Sequence, residues 1–310
     1  MLSTFINAWD VDSIFVFAPI PVVLLCGGEM TEIGAMPPRS LRDAFYKIIE
    51  KPYLKGAELI RAEDTPFHRI QAAHYADLLR FEMELAQLCD VILLFCESIG
   101  SVSEFSSFIM DEEINRKLLV VMRHDHYYDA SFLREGPTKR LTSIDPEAVY
   151  LIDDTDIGIT RNSVENIDIS KLGERLRAPI KRALERGREH RTLDTKRPGH
   201  VIKLATGLVQ EFGALTLPEL CELLGAAHIE VTSDDLAGYM LCGVAAGWIE
   251  ERRKGSRDFY FAKSMKSAVS LKFKPESHLG DGIRRRYELR EHWKENDPDR
   301  HRGIIENEGA

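Results

Sequence analysis

The sequence predicts an α/β protein, with a doubly wound five-stranded parallel sheet followed by a winged-helix domain. Uniformly apolar runs such as PVVLLCGG (21–28) and DVILLFC (90–96) are typical of strands buried on both faces. Over residues 15–160 such runs alternate with helical segments, which indicates parallel pairing with right-handed crossovers. Beyond residue 199 the pattern changes to three helices and a β-hairpin, which predicts the winged helix.

The elements of the sheet follow in order along the chain. Five segments have the composition of strands: 21–28, 56–64, 90–96, 117–122 and 148–153. Three segments between them have helical periodicity: 38–51, 68–88 and 101–116. Ser101 and Glu104 have the S-x-x-E spacing of a capping box, so Ser101 is the expected N-cap of the third helix.

The length of 310 residues favours more than one domain. We predict four consecutive parts: a catalytic domain at 1–162, a basic helical connector at 163–198, a winged helix at 199–265 and a helical tail at 266–310. Within the tail we expect one helix over about 280–295 and a frayed polar end.

Composition excludes several classes of protein. The net charge of −9 disfavours nucleic-acid binding by the whole surface, although residues 171–197 carry ten Lys/Arg against four Asp/Glu. The five cysteines show no CxxC spacing, so we expect reduced thiols, no metal site and a cytoplasmic location. No apolar run reaches membrane-spanning length, and Asp10 and Asp12 precede the first basic residue, Arg39, so we expect no membrane contact and no secretion signal.

Polar residues follow the predicted strands where a ligand site is expected. In doubly wound sheets ligands bind beyond the carboxyl ends of the strands. The candidate substrate-binding residues there are Gly27, Gly28, Glu63, Asp64, Glu97, Ser98, Gly100 and Ser101. Tight turns, solvated acids and helix capping are the alternatives for these residues. Glu82, on the preceding helix, is either an exposed charge or part of the pocket wall.

Glu104 is the candidate catalytic residue. One interpretation is that Ser101 and Glu104 only cap a helix. The other is that Glu104 attacks the anomeric carbon of a nucleoside, since a close carboxylate stabilises or traps an oxocarbenium-like state. A position one turn into a helix would favour the ionised carboxylate. Gly100 would let the substrate approach the backbone, and the two serines would bond ribosyl hydroxyls.

A family resemblance rests on these same residues. ESIGSVSEF (97–105) resembles the D/E-S-x-G-S/T-x-x-E segment of the nucleoside 2-deoxyribosyltransferase-like superfamily, in which the last glutamate is the nucleophile. With VVLLCGG and AED preceding it, the order is similar to that of retron effector proteins, which pair such a domain with a C-terminal winged helix. The chain departs from many transferases at Ser106, where they have glycine.

The resemblance implies a toxic effector of a retron antiphage system. Such an enzyme would cleave the N-glycosidic bond of NAD, a nucleotide or a nucleoside through Glu104. NAD would enter as a substrate, and no cofactor is expected. The implied partners are a reverse transcriptase with its multicopy single-stranded DNA (msDNA) or noncoding RNA, and further copies of the chain in a homo-oligomer. The alternative is a non-catalytic, nucleotide-sensing DNA-binding regulator.

The predicted contacts with nucleic acid or a protein partner lie in the C-terminal half. Seven cations on the wing and the tail helix are candidates: Arg252, Arg253, Lys254, Arg257, Arg284, Arg285 and Arg286. The third helix opens with the acidic SDDLAGYM (233–240), so we expect phosphate contacts or protein docking rather than readout of bases in a duplex groove. A solvated hairpin and an ordinary charged helix are the alternatives.

Overall fold

A computed structural model of the chain describes residues 2–32, 34–54, 56–73, 75–129, 131–160, 163–186, 191–264, 266–275 and 277–308. The chain forms two compact units. The sheet unit comprises Pro21–Ala62 and Cys89–Arg188, and the C-terminal unit combines Met1–Ile20, Glu63–Leu88 and Glu189–Ala310. The predicted domain boundaries at 162, 198 and 265 stay predictions, and residues 162 and 265 lie outside the described residues.

The sheet unit is built on five parallel strands, as predicted. Their order across the sheet is Glu58–Ile60, Val22–Cys26, Val91–Phe95, Leu118–Arg123 and Val149–Ile152. Every residue of the three central strands is buried, which explains why their sequences lack polar alternation. The predicted α/β class with a five-stranded parallel sheet is confirmed.

The first helix of the sheet unit is shorter than predicted. The segment 38–51 is helical only over Leu41–Tyr46, because Ser40 caps it by accepting a hydrogen bond from the Asp43 N–H. Lys47 ends the helix as its C-cap.

The predicted helix 101–116 is two helices, Ile99–Phe108 and Glu112–Asn115. The break follows from Asp111, whose carboxylate accepts the N–H of Glu113 at 2.8 Å and so starts a new helix.

The basic connector contributes to the sheet unit. It forms the helix Ile169–Arg186, and Leu172, Leu176 and Ile180 recur every fourth residue and are buried in the core of the sheet unit. Part of the predicted connector, residues 187–190, lies outside the described residues. The other helical segments of this unit are Pro52–Leu54, His124–Asp129, Ser131–Leu133, Arg134–Thr138, Lys139–Ile144, Asp154–Ile157 and Val164–Asn166.

The single long helix predicted at 68–88 is wrong. Two helices form, Phe67–Ala72 and Leu78–Leu88, and both belong to the C-terminal unit. Asp77 explains the second start, because its carboxylate accepts the N–H of Arg80 at 2.8 Å.

The C-terminal unit has the element order that predicted a winged helix. Its three central helices are Pro198–Phe212, Leu217–Ala226 and Ser233–Ala245. An antiparallel sheet of three strands runs in the order Ala214–Leu215, Arg257–Ala262 and Ile249–Lys254. The assignment as a winged-helix domain stays a prediction.

The two ends of the chain also join the C-terminal unit, which the sequence analysis did not predict. The helix Leu2–Ala8 leads into the strand Trp9–Val16, which pairs antiparallel with Val269–Phe273 and with Arg191–Thr192.

The tail then forms a turn at His278–Gly280 and two helices, Gly282–Asn296 and Pro298–Glu308. The predicted frayed end is wrong, because Arg300 and Ile304 are only 1% and 2% exposed. Within the described part of the chain, no helix combines the length and apolarity needed to cross a membrane.

Candidate active site

The residues predicted around Glu104 follow two neighbouring strands. Gly27 and Gly28 come directly after Val22–Cys26, and Glu97 comes two residues after Val91–Phe95. These strands pair in parallel, so their carboxyl ends lie at the same edge of the sheet. The fold therefore brings these predicted residues together.

The carboxylate of Glu97 accepts three backbone hydrogen bonds at this edge of the sheet. Its Oε1 accepts the N–H of Gly28 at 3.2 Å and of Arg42 at 3.0 Å, and its Oε2 accepts the N–H of Leu41 at 2.7 Å. Leu41 and Arg42 begin a helix, so the carboxylate satisfies N–H groups that have no partner within that helix. Burial raises the pKa of Glu97, while the three N–H bonds act in the opposite direction. These contacts give Glu97 a structural role, and its contact with substrate stays a prediction.

Both glycines are required by close packing. Gly27 has φ of +147°, and a Cβ there would lie 2.9 Å from the Phe95 Cβ. A Cβ on Gly28 would lie 2.9 Å from the Glu97 Oε1. The approach of the backbone to Phe95 and Glu97 explains the glycines without a ligand.

The helix Ile99–Phe108 is capped one turn earlier than predicted. Ser98, rather than Ser101, is the N-cap, and its hydroxyl accepts the Ser101 N–H at 3.1 Å. In return the Ser101 hydroxyl accepts the Ser98 N–H at 2.9 Å. The predicted box of Ser101 with Glu104 is therefore wrong. Ser101 has no exposed surface, so it serves the cap rather than a ligand in this conformation.

Glu104 is the sixth residue of that helix and takes no part in its cap. The helix dipole acts mainly within the first turn, so it does not by itself hold Glu104 ionised. The side chain is half-buried, and its Oε2 has no accessible surface. Burial and the charges of Glu97 and Glu104 raise the pKa of Cys96 to about 12. The Glu104 carboxylate thus lies near Cys96, at the carboxyl end of a central strand.

The surface beside the start of this helix is exposed. Gly100 is exposed, and a Cβ added to it would meet only the Ser98 Oγ, at 3.8 Å. Ile99 is 89% exposed. The backbone at Gly100 is therefore open to an approaching molecule.

Two charged residues at the same edge were missed by the sequence analysis. Arg123 ends the strand Leu118–Arg123 and is only 5% exposed, and its Nε donates to the Asp154 Oδ1 at 2.7 Å. This contact raises the pKa of Arg123, and the charge of Glu97 adds to the effect. The sequence could have indicated this pair, because an arginine ends one apolar strand and acids follow the next strand.

Comparison with known proteins identifies the family. The profile of the STM3845 retron effector proteins matches residues 38–251. The chain belongs to this retron effector family. It is also 24% identical over 238 residues to the "Retron Ec86 putative ribosyltransferase/DNA-binding protein" of Escherichia coli. That similarity covers 74% of this chain and 72% of the relative. The resemblance to retron effectors inferred from the sequence is confirmed.

The other acidic residues predicted for the effector's site belong to the C-terminal unit. Glu63 and Asp64 are exposed in the turn Ala62–Asp64, and Glu82 is half-buried in the helix Leu78–Leu88. Their roles at the substrate stay predictions. A buried acid of the same helix was missed: Glu84 accepts a hydrogen bond from the Tyr75 hydroxyl at 2.6 Å, and burial raises its pKa.

Three of the four wing cations contact the tail. Arg252 donates to Asn307 at 2.7 Å, Lys254 pairs with Glu306, and Arg257 pairs with Asp297 at 2.7 Å. The guanidinium groups of Arg252 and Arg257 also stack on phenylalanine rings at 4.4 and 4.9 Å. These three cations stabilise the packing of wing and tail.

Arg253 is the most exposed of the four wing cations. Its side chain is 68% exposed and lies 3.9 Å from an Asp258 carboxylate.

The three predicted arginines of the tail helix also differ in exposure. Arg285 is 7% exposed and pairs with the buried Glu211 at 2.6 Å, and Arg286 pairs with the same carboxylate at 3.0 Å. Arg284 is 61% exposed and pairs with Glu288 at 2.7 Å. Arg285 therefore belongs to the core, whereas Arg284 and Arg286 are on the surface.

Proposed function

We propose that this retron effector cleaves the N-glycosidic bond of NAD, a nucleotide or a nucleoside, with Glu104 acting at ribose C1′. A glycosyl ester would form at Glu104 while the base leaves with the bonding electron pair. Water, or a second base, would then break the ester. The half-buried Glu104 carboxylate at the carboxyl edge of the sheet is the observation that carries the proposal.

Two further observations support it. Gly100, four residues earlier, leaves the backbone open on the same helix. The Escherichia coli relative carries ribosyltransferase in its name, and ribosyl transfer and N-glycoside hydrolysis share the same bond cleavage at C1′.

The test is a substrate screen. Purified effector is incubated with NAD, nucleotides and nucleosides, and released base is measured by chromatography. We expect base from at least one class, and a loss on the order of 10³-fold or more in Glu104→Gln, because the amide cannot act as a nucleophile or stabilise positive charge. Glu112→Gln is the matched control, because it makes the same change at an exposed position after the helix.

Two results would contradict the proposal. Equal base release by Glu104→Gln and wild type would remove Glu104 from the chemistry. Nucleotide binding without base release from any substrate, also in the presence of a reverse transcriptase and msDNA, would favour the non-catalytic nucleotide sensor.

We also propose that a reverse transcriptase with its msDNA holds the effector inactive, and that the effector acts as a homo-oligomer. An enzyme that consumes NAD or nucleotides would harm its own cell if it were always active. Co-expression with the partner complex should suppress base release. Addition of the separately purified complex to active effector should also suppress it. Light scattering should give a mass above that of one chain.

A further inference from the structure

A groove of about 570 Å³ lies within the C-terminal unit, beside the first of the two tail helices. We call it the tail groove. Its walls are formed by Ala262, Lys263, Ile283, Arg286, Tyr287, Arg290, Asn307 and Glu308. The volume is in the range of small-ligand pockets (about 300–1,000 Å³).

The helix Gly282–Asn296 presents two parallel stripes to the tail groove. Ile283 and Tyr287 are 79% and 64% exposed and lie one helical turn apart. Arg286 and Arg290 form a cationic stripe next to them with the same spacing, about 6 Å along the axis. An exposed aromatic ring flanked by cations is the arrangement with which proteins hold single-stranded nucleic acid.

The charge of the tail groove is positive. Lys263, Arg286 and Arg290 stand against one lining acid, Glu308, which pairs with Arg290. Arg286 pairs with Glu211. Lys263 is exposed, and among the described residues its amino group has no ion-pair partner.

We propose that the tail groove binds single-stranded nucleic acid, with a base stacked on Tyr287 and phosphates against Lys263 and Arg286. A duplex fits less well, because its bases are stacked inside and would leave Tyr287 without a partner. An acidic peptide would satisfy the cations but would not use the aromatic face. The inference goes beyond the proposed cleavage and does not depend on Glu104.

The wing, the usual phosphate-binding element of such a fold, is poorly suited to this role. Three of its cations hold the tail, so phosphates would have to compete with packed contacts. The tail helix Pro298–Glu308 is fixed by the buried Arg300 and Ile304, so it cannot simply move away. The tail groove instead offers the exposed Lys263, which has no ion-pair partner among the described residues, close to the exposed ring of Tyr287.

The test measures binding of a fluorescently labelled single-stranded 20-mer by anisotropy, with a hairpin duplex of the same composition as comparison and the full chain as protein. We expect the single strand to bind more tightly. Tyr287→Ala should weaken binding roughly tenfold, and Tyr287→Phe should retain it, since stacking needs only the ring. Lys263→Ala should also weaken binding and reduce the slope of log K against log salt concentration by about 0.7, the contribution of one phosphate contact.

Arg253→Ala is the matched control for Lys263→Ala, because it removes one exposed cation from the wing instead of the groove. Equal affinity of wild type and Tyr287→Ala, or tighter binding of the duplex, would overturn the proposal. A larger effect of Arg253→Ala than of Lys263→Ala would assign the site to the wing. Binding of poly-glutamate without binding of the single strand would assign the groove to a protein partner. The Glu104→Gln variant should bind the single strand as tightly as wild type. The binding test therefore stands or fails independently of the cleavage proposal.

Discussion

Replacement of Glu97 by alanine distinguishes a structural from a substrate-binding role. The carboxylate joins the loop at Gly28 to the first turn of the helix Leu41–Tyr46 through three N–H groups at 2.7–3.2 Å. Alanine leaves all three without their acceptor. We therefore expect Glu97→Ala to destabilise the sheet unit before any effect on substrate is considered.

The magnitude follows from the three hydrogen bonds. A buried donor left without a partner costs about 1–3 kcal/mol. Glu97 is only half-buried, so water can enter the space left by the carboxylate, and the lower end of that range applies. Three donors then give a loss of about 3 kcal/mol in the free energy of unfolding. A surface change such as Glu112→Gln should stay within about 0.5 kcal/mol.

Urea unfolding followed by far-ultraviolet circular dichroism measures the loss. Hydrogen exchange locates it, because the amides of Gly28, Leu41 and Arg42 should exchange faster in Glu97→Ala than in wild type. If Glu97→Ala unfolds at the wild-type urea concentration and keeps these amides protected, the structural role is refuted. Loss of base release at unchanged stability would then favour contact with substrate.

Two further predictions concern pH and packing. Burial raises the pKa of Glu97 from 4.5, so the folded state binds more protons than the unfolded state between 4.5 and the raised value. As the pH falls from 7 towards 4.5, wild type should therefore gain stability relative to Glu97→Gln in urea unfolding, and a relative loss would contradict the shift. Gly238→Ala should lower the free energy of unfolding by about 1–3 kcal/mol, because its Cβ would lie 3.0 Å from the Tyr75 ring. Gly225→Ala, a helical glycine with open space around it, should raise stability by up to about 1 kcal/mol, and equal effects of the two substitutions would contradict the packing argument.

The parallel sheet could be predicted because its central strands are apolar on both faces, a pattern that depends on the strands alone. The lengths of the helices could not, since side chains such as Asp77 and Asp111 bond nearby N–H groups and start new helices inside a continuous helical pattern. Such acids look like ordinary exposed helix residues in the sequence.

Contacts between residues distant in sequence could not be predicted either. The strand Trp9–Val16 finds its partner near residue 270, and the helix Leu78–Leu88 joins the C-terminal unit although its neighbours in sequence form the sheet. The wing cations were predicted for phosphates because the sequence shows their charge, but their partners on the tail lie about 40–55 residues away. Local patterns carry no information on such pairings.

The N-cap of the helix Ile99–Phe108 was also placed wrongly from the sequence, and its true position bears on the role of Glu104. In sequence, Ser101 with Glu104 has the S-x-x-E spacing of a capping box, whereas the structure uses Ser98 with Ser101. Glu97, directly before the cap, accepts hydrogen bonds from Gly28 and from Leu41 at the start of another helix. The cap forms at Ser98, and the capping role that would have explained Glu104 is taken by Ser101. Helix capping therefore does not account for Glu104, and its proposed role at the ribose is tested by base release in Glu104→Gln.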